Sequence, residues 1–226
     1  MSRLAKEKTA PFEGFPKELP DFLWGIALNN EKPWFEARRD IYERCLHGPV
    51  KALAWQVMEN LTDRFRKLTL MPHISRIYRD ARTLNGRGPL NDHMWFSIGK
   101  TARVYEPEPQ FYFGVEARCC DWGMGLWNVT AADMERWRAA IDADPRKAER
   151  LVNGLREKTG MELLGGAYKR PKGDPGPALF DWYNARRIVL GKTLWFDPDP
   201  PGPELFEAVL RDFEALVPLY KYLLEF

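Results

Sequence analysis

The chain has 226 residues, 45% of them hydrophobic, and its 34 Lys and Arg against 32 Asp and Glu leave a formal net charge of +2. That length suffices for one large domain that needs no metal or disulfide staple, and the near balance of charge gives no global footprint for nucleic acid or an anionic membrane. Cys45, Cys119 and Cys120 are too few for a secreted disulfide framework, and there is neither an apolar leader nor an apolar run near about 18 residues, so the expected location is the cytoplasm, with no membrane partner.

Residues 1–18 mix charge, Pro and Gly without periodicity and read as a flexible arm, followed by a single α+β domain over 19–226. From Pro20, Phe22, Leu23 and Ile26 share a helical face that stops at Asn29 and Asn30. Pro33 opens a second expected helix through Trp34, Ala37, Ile41 and Cys45, broken at Gly48, and Pro49 opens a third carrying Val50, Leu53, Ala54, Val57, Leu61 and Phe65.

The middle changes period. Residues 73–80 alternate as a strand does, HMWFSI suggests another, and residues 110–117 put Phe111, Phe113 and Val115 on one face and Tyr112, Gly114 and Glu116 on the other. WGMGLWN, residues 122–128, interleaves Gly with bulky apolar residues and suits a bent or bulged strand.

Thr130 and Asp133 form a capping-box pattern ahead of Met134, Trp137 and Ile141, and Asp144-Pro145 starts a helix that ends near Gly160. GAYKRPKGDPGP reads as a short strand entering a turn-rich loop, residues 188–196 as a buried strand, and the last helix runs from about Glu204 with Pro218 as a candidate kink. Helices at both ends and strands between them predict a mainly antiparallel sheet in mid-chain, packed against N-terminal and C-terminal helices.

Phosphate-loop, dinucleotide, zincin, nucleophile-elbow and EF-hand motifs are all absent, so no cofactor is implied. None of His47, His73 and His93 lies within helical reach of another, so no metal site is expected, Asp92 with His93 and a distant carboxylate being the weak alternative. Cys119 and Cys120 read as packed thiols. Trp24, Trp34, Trp55 and Trp137 fall in expected helices and read as core, which leaves Trp122 and Trp127 as candidates for a ligand wall.

RIYRDARTLNGRGP, residues 76–89, carries four arginines and one aspartate; this +3 leaves the rest of the chain at −1. Arginine donates parallel hydrogen bonds to phosphate or carboxylate, and Gly86 and Gly88 permit close approach of backbone to a ligand. If the KRPKG loop lies at the same end of the sheet, Arg76, Arg79, Arg82, Arg87, Lys169 and Arg170 would line a pocket for a small anion, with Asp80 orienting arginines or acting as acid/base. The competing use is structural, with Arg76 and Asp80 in an ion-paired network.

FLWGIALNNEKPWFEARRDIY, RIYRDAR, the Phe-Tyr-Phe strand and KRPKG together resemble a family of uncharacterised conserved proteins, domain-of-unknown-function family 2461, over about residues 19–224. The resemblance implies a single α+β domain with no established activity. Asn29, Asn30, Trp34, Phe35, Arg76, Arg79, Asp80, Arg82, Lys169 and Arg170 occupy the characteristic positions. After RDxR the family pattern continues with Phe-Ser and then Lys-x-Pro-Tyr-Lys, whereas here Leu90 and Asn91 replace the Tyr and second Lys. The leading expectation is a pocket for a phosphate- or carboxylate-bearing small molecule, in a cofactor-independent hydrolase or transferase. The alternative is a non-catalytic module for protein or nucleic acid, and the charge balance favours the pocket.

Overall fold

In a computed structural model of the protein, residues 10–80, 82, 84, 86–101 and 108–225 are described. The sequence periodicities resolve into an α+β fold in which helices from both ends of the chain pack on one face of a mid-chain sheet. α1 (Leu19–Leu28) buries Leu19, Phe22, Leu23 and Ile26, and Asn29 ends it by donating its side-chain amide to the Gly25 carbonyl at 3.0 Å.

The helix expected from Pro33 is instead two short pieces, α2 (Lys32–Glu36) and α3 (Arg39–Tyr42), the second continuing through a π-turn, Glu43–His47, into α4 (Gly48–Arg64). Gly48 does not break this helix. A Cβ there would stand 2.6 Å from the Glu43 carbonyl oxygen, which accepts the Gly48 N–H, so the missing side chain is what lets the widened turn close.

β1 (Met71–Ile74), β2 (Met94–Gly99), β3 (Gln110–Val115) and β4 (Cys119–Gly125) follow, then α5 (Ala131–Ala143), α6 (Pro145–Thr159), β5 (Glu162–Leu163), α7 (Phe180–Tyr183), β6 (Val189–Trp195) and α8 (Glu204–Leu223). The six-stranded sheet has the order β1-β2-β3-β4-β6-β5, and every neighbouring pair is antiparallel. Thr130 and Asp133 make the reciprocal capping box at the start of α5. Among the described residues no helix is long and apolar enough to cross a membrane.

Several boundaries differ from the pattern-based expectation. The strand over 73–80 stops at Ile74: Ser75 still donates its N–H to the Trp95 carbonyl at 2.8 Å, but its hydroxyl rather than its carbonyl takes the Trp95 N–H at 2.9 Å, so the ladder does not continue. The Gly-interleaved segment is not bulged; Cys119 to Gly125 pair in unbroken register with Trp195 to Val189. Within residues 166–177 only a bridge from Ala167 to Ala185 forms, the strand of that region lying earlier, at β5. β6 is buried only at Val189–Gly191, since β5 is two residues long and leaves the far end of β6 as the sheet edge. α8 runs through Pro218 as one helix.

The second half of the arm is docked. Phe12 and Phe15 are buried, Phe15 stacks on Phe113 at 6.2 Å, and its N–H donates to the Pro201 carbonyl at 3.0 Å. Two aromatic anchors offset the entropy of fixing a Pro- and Gly-containing segment. Residues 1–9 lie outside the described residues.

The core fills the space between the sheet and α4, α6 and α8. Phe111 meets both Phe213 and Tyr220 at 5.0 Å, and Phe96 stacks on Phe113 at 5.3 Å. One ion pair joins the core through the buried carboxylate of Asp212, with Lys192 partly exposed. Lys192 Nζ lies 2.5 Å from Asp212 Oδ2, the same oxygen accepts the Trp122 indole N–H at 2.8 Å, and Lys192 also donates to the Thr159 carbonyl at 3.1 Å. This network ties β4 and β6 to α8.

Candidate functional site

Strand alternation decides which residues meet the helices and which do not. Phe96, Ile98, Phe111, Phe113, Val115, Cys120, Trp122 and Met124 face the core. On the opposite face the register sets Ser97, Tyr112, Gly123 and Gly191 in one cross-strand row and Trp95, Gly114 and Asp121 in the next. Three of those seven positions are glycine, and on this face lies a cavity of about 330 Å³. Trp95, Ser97, Tyr112, Asp121 and Trp127 line it, together with His93 and Glu116. Its size and its apolar wall with a few polar groups are those of a small-molecule pocket.

Two glycines set the geometry by close approach. A Cβ on Gly114 would lie 2.7 Å from Asp121 Oδ1, so the carboxylate rests across the neighbouring strand. A Cβ on Gly191 would overlap the Tyr112 hydroxyl, so the phenol reaches over β4 to β6. The Tyr112 and Trp127 rings stand nearly perpendicular, 5.3 Å apart at 74°, and Trp95 is backed by His73 at 5.4 Å.

Burial pushes the Asp121 carboxyl above the ordinary aspartate range, the Glu116 carboxylate pushes it further, and His93 opposes them. Among the described residues no Arg or Lys lines the cavity or pairs with Asp121. His93 Nδ1 lies 3.0 Å from Asp92 Oδ1, and Arg79 Nη2 lies 3.5 Å from that same oxygen. Burial alone would raise Asp92, but hydrogen bonds from His93 and its own backbone, with the charges of His93 and Arg79, hold it below the ordinary range.

The arginine segment sits beside this site and is mostly bound up in itself. Backbone bonds from Arg79 N–H to the Pro89 carbonyl, 2.8 Å, and from Asn91 N–H to the Ile77 carbonyl, 2.7 Å, close residues 78–90 into a loop. Asn30 clamps that loop from the end of α1, donating to the Leu90 carbonyl at 3.0 Å and accepting the Leu90 N–H at 2.7 Å. Arg79 is a strut: its side chain is 11% exposed and its Nε donates to Asn91 Oδ1 at 3.0 Å. Arg82 makes a two-pronged pair with Asp80, at 3.0 and 2.6 Å, and that pair with the Arg82 backbone N–H holds Asp80 at about 2. Arg76 and Arg87 are exposed.

Lys169 and Arg170 are also exposed, in a loop that Asn184 fastens by accepting the Lys172 N–H at 2.5 Å. The arginine segment leaves the sheet after Ile74, beside Met94, Val115 and Cys119, whereas the KRPKG loop leaves after Leu163, beside Val189 and Gly125. These are diagonally opposite corners. At about 4.8 Å per strand the two edges are about 24 Å apart, so the two basic segments are not brought together.

Of the two tryptophans expected as a ligand wall, Trp127 lines the cavity, while Trp122 points to the core, where its indole N–H meets Asp212. Trp24, expected in the core, is 49% exposed, because Phe22, Leu23 and Ile26 already supply the buried stripe of α1. Among the described residues no group of three His, Cys, Asp or Glu is arranged to hold a metal ion. All three thiols are buried and free, and Cys120 is pushed up to about 12 by burial, which leaves it no thiolate for nucleophilic chemistry. Asp121, Trp95 and Ser97 were not anticipated from sequence. Asp121 could have been found as the one charge inside a seven-residue strand of Cys, Gly, Trp and Met.

The fold and site define an α+β domain with a ligand-sized, acidic and aromatic cavity on the face of the sheet turned away from its core. The chain belongs to the family described as Conserved hypothetical protein (DUF2461), whose model matches residues 18–222. No curated protein matches it.

Proposed function

We propose that the protein binds a small molecule in the cavity on the open face of its sheet, with Asp121 as polar anchor and Trp95, Tyr112 and Trp127 as walls. The observation that carries this reading is Asp121 itself. A carboxylate set in an apolar cavity with no Arg or Lys partner among the described residues costs stability, and such costs concentrate at sites that use them.

His93 supplies the second proton-exchanging group. Its imidazole and the Asp121 carboxylate line the same cavity, and these are side-chain types that acid–base chemistry uses. Cofactor-independent acid–base chemistry, of the kind a hydrolase or transferase needs, is the reaction class this pair suits. A phosphate- or carboxylate-bearing ligand held by the arginines has less support: Arg79 and Arg82 are committed to carboxylates, and Lys169 and Arg170 lie across the sheet.

A thermal-shift screen of small organic molecules tests the reading. A ligand at a hundred times its Kd adds about 2.7 kcal/mol, or roughly 5–10 °C in Tm for a chain of this size. The shift should vanish in Asp121→Ala and shrink in Trp127→Ala. Shifts that survive both and disappear only in Arg79→Ala would move the site to the arginine loop.

A further inference from the structure

We infer that the ligand of this cavity carries a cationic nitrogen, as a protonated or N-methylated amine on a ring-sized body. The inference rests on the reading of the open sheet face as the binding site and adds the chemical class of what binds there. Three features of the cavity converge on it.

The first is the sign of its charge. Asp121 and Glu116 are the carboxylates in its lining, His93 is the one basic side chain there, and no Arg or Lys contributes among the described residues. An anion would enter a site already holding two negative groups and would raise the cost of each. A neutral ligand would cover Asp121 without compensating it.

The second is the wall. Trp95, Tyr112 and Trp127 line the cavity, and aromatic rings, whose quadrupoles are negative at the face centre, attract an ammonium. The perpendicular Tyr112 and Trp127 rings, 5.3 Å apart, make two sides of a corner into which a nitrogen with its attached carbons fits better than a flat anion does. The protein's own cations stack elsewhere, Arg38 on Trp34 and Lys192 on Trp122, both away from the cavity. These three walls are therefore not taken by an internal guanidinium or ammonium among the described residues.

The third is how the acid is placed. Gly114 leaves room for the Asp121 carboxylate to lie across the neighbouring strand, where it lines the same cavity as the three rings. Aromatic rings together with a carboxylate recur where substituted ammonium groups are recognised.

The test is a titration of the full chain with benzylamine, benzyl alcohol and benzoate near neutral pH, followed by tryptophan fluorescence and calorimetry. Benzylamine should bind, benzyl alcohol about tenfold more weakly, and benzoate not measurably. Asp121→Asn should bring benzylamine down to the level of benzyl alcohol and leave benzyl alcohol unchanged. Benzyl alcohol or benzoate binding as well as benzylamine does, with Trp127→Ala weakening all of them, would overturn the cationic class and leave the cavity standing. Benzylamine binding that neither Asp121→Asn nor Trp127→Ala changes would overturn the inference too, as would binding of none of the three, which would also remove the cavity as the site.

Discussion

Asp121 occupies the space that a side chain at Gly114 would fill. The two residues are cross-strand partners on β4 and β3, and the carboxylate oxygen lies 2.7 Å from where a Cβ on Gly114 would stand. Sheet glycines are costly in themselves, since they weaken strands and pack nothing. Here the vacancy is filled by a desolvated acid facing a cavity, an arrangement that serves recognition at the expense of stability.

That expense can be measured. A carboxyl whose folded-state pKa is raised binds protons more tightly in the native state, so stability falls as pH rises from the unfolded value through the folded one. Asp121→Asn removes this slope. The variant should have a higher Tm than the wild type near pH 7 and an equal Tm near pH 3, as calorimetry across that range will show.

The arginines of residues 76–89 should separate by variant. Arg79→Ala strands the Asn91 oxygen and leaves Asp92 with His93 alone, and removing one partner of such a bond costs about 1–3 kcal/mol, or roughly 2–10 °C in Tm. Arg82→Ala breaks only an exposed local pair with Asp80 and should leave Tm unchanged. Equal effects for the two would contradict the strut assigned to Arg79.

Asn30→Ala should loosen the loop without touching the cavity. It leaves both the N–H and the carbonyl of Leu90 unpaired at a buried position, a loss of about 2 kcal/mol or more. Hydrogen exchange should accelerate at Arg79, Leu90 and Asn91, with the amides of β3 and β4 keeping their protection.

The pair between β6 and α8 predicts a context effect. Asp212→Ala takes the carboxylate from the partly exposed Lys192 ammonium and from the Trp122 indole N–H and should cost about 1–3 kcal/mol in urea denaturation. Asp212→Leu combined with Lys192→Met should recover much of that loss, because neither variant side chain leaves a charge behind.

The fold was legible where one periodicity dominated. The stripe Val50, Leu53, Ala54, Val57 and Leu61 and the alternation of Phe111, Phe113 and Val115 are both buried as their spacing implies. The π-turn before Gly48 was not, because a widened turn keeps helical spacing on either side and looks from sequence like a break. The end of β1 escaped for a similar reason: Ile77 and Tyr78 continue the alternation of the strand, but a hydrogen bond from a distant backbone to the Ser75 hydroxyl ends the ladder.

The site was less legible than the fold. Charge density drew attention to Arg76, Arg79, Arg82 and Arg87, but charge density does not distinguish a strut from a ligand contact; only the positions of Asn91, Asp92 and Asp80 do that. Tyr112, Gly114 and Glu116 were correctly grouped on one face of a strand, yet their partner Asp121 depends on the register between β3 and β4, which no single strand encodes. Trp127 was singled out and lines the cavity, whereas Trp122, five residues earlier on the strand's other face, serves the core.

Heteronuclear NMR of the full chain, titrated with benzylamine and separately with phosphate, tests the central claim most directly, because the tryptophan indole N–H signals report on both faces of the sheet. The account predicts that benzylamine moves the indole signals of Trp95 and Trp127 and the backbone amides of Gly114 and Asp121, while Trp122 and Trp137, buried in the core, stay in place. Shifts produced by phosphate and confined to Arg76, Arg82, Arg87 or to Lys169 and Arg170, with the open face silent to both ligands, would contradict it.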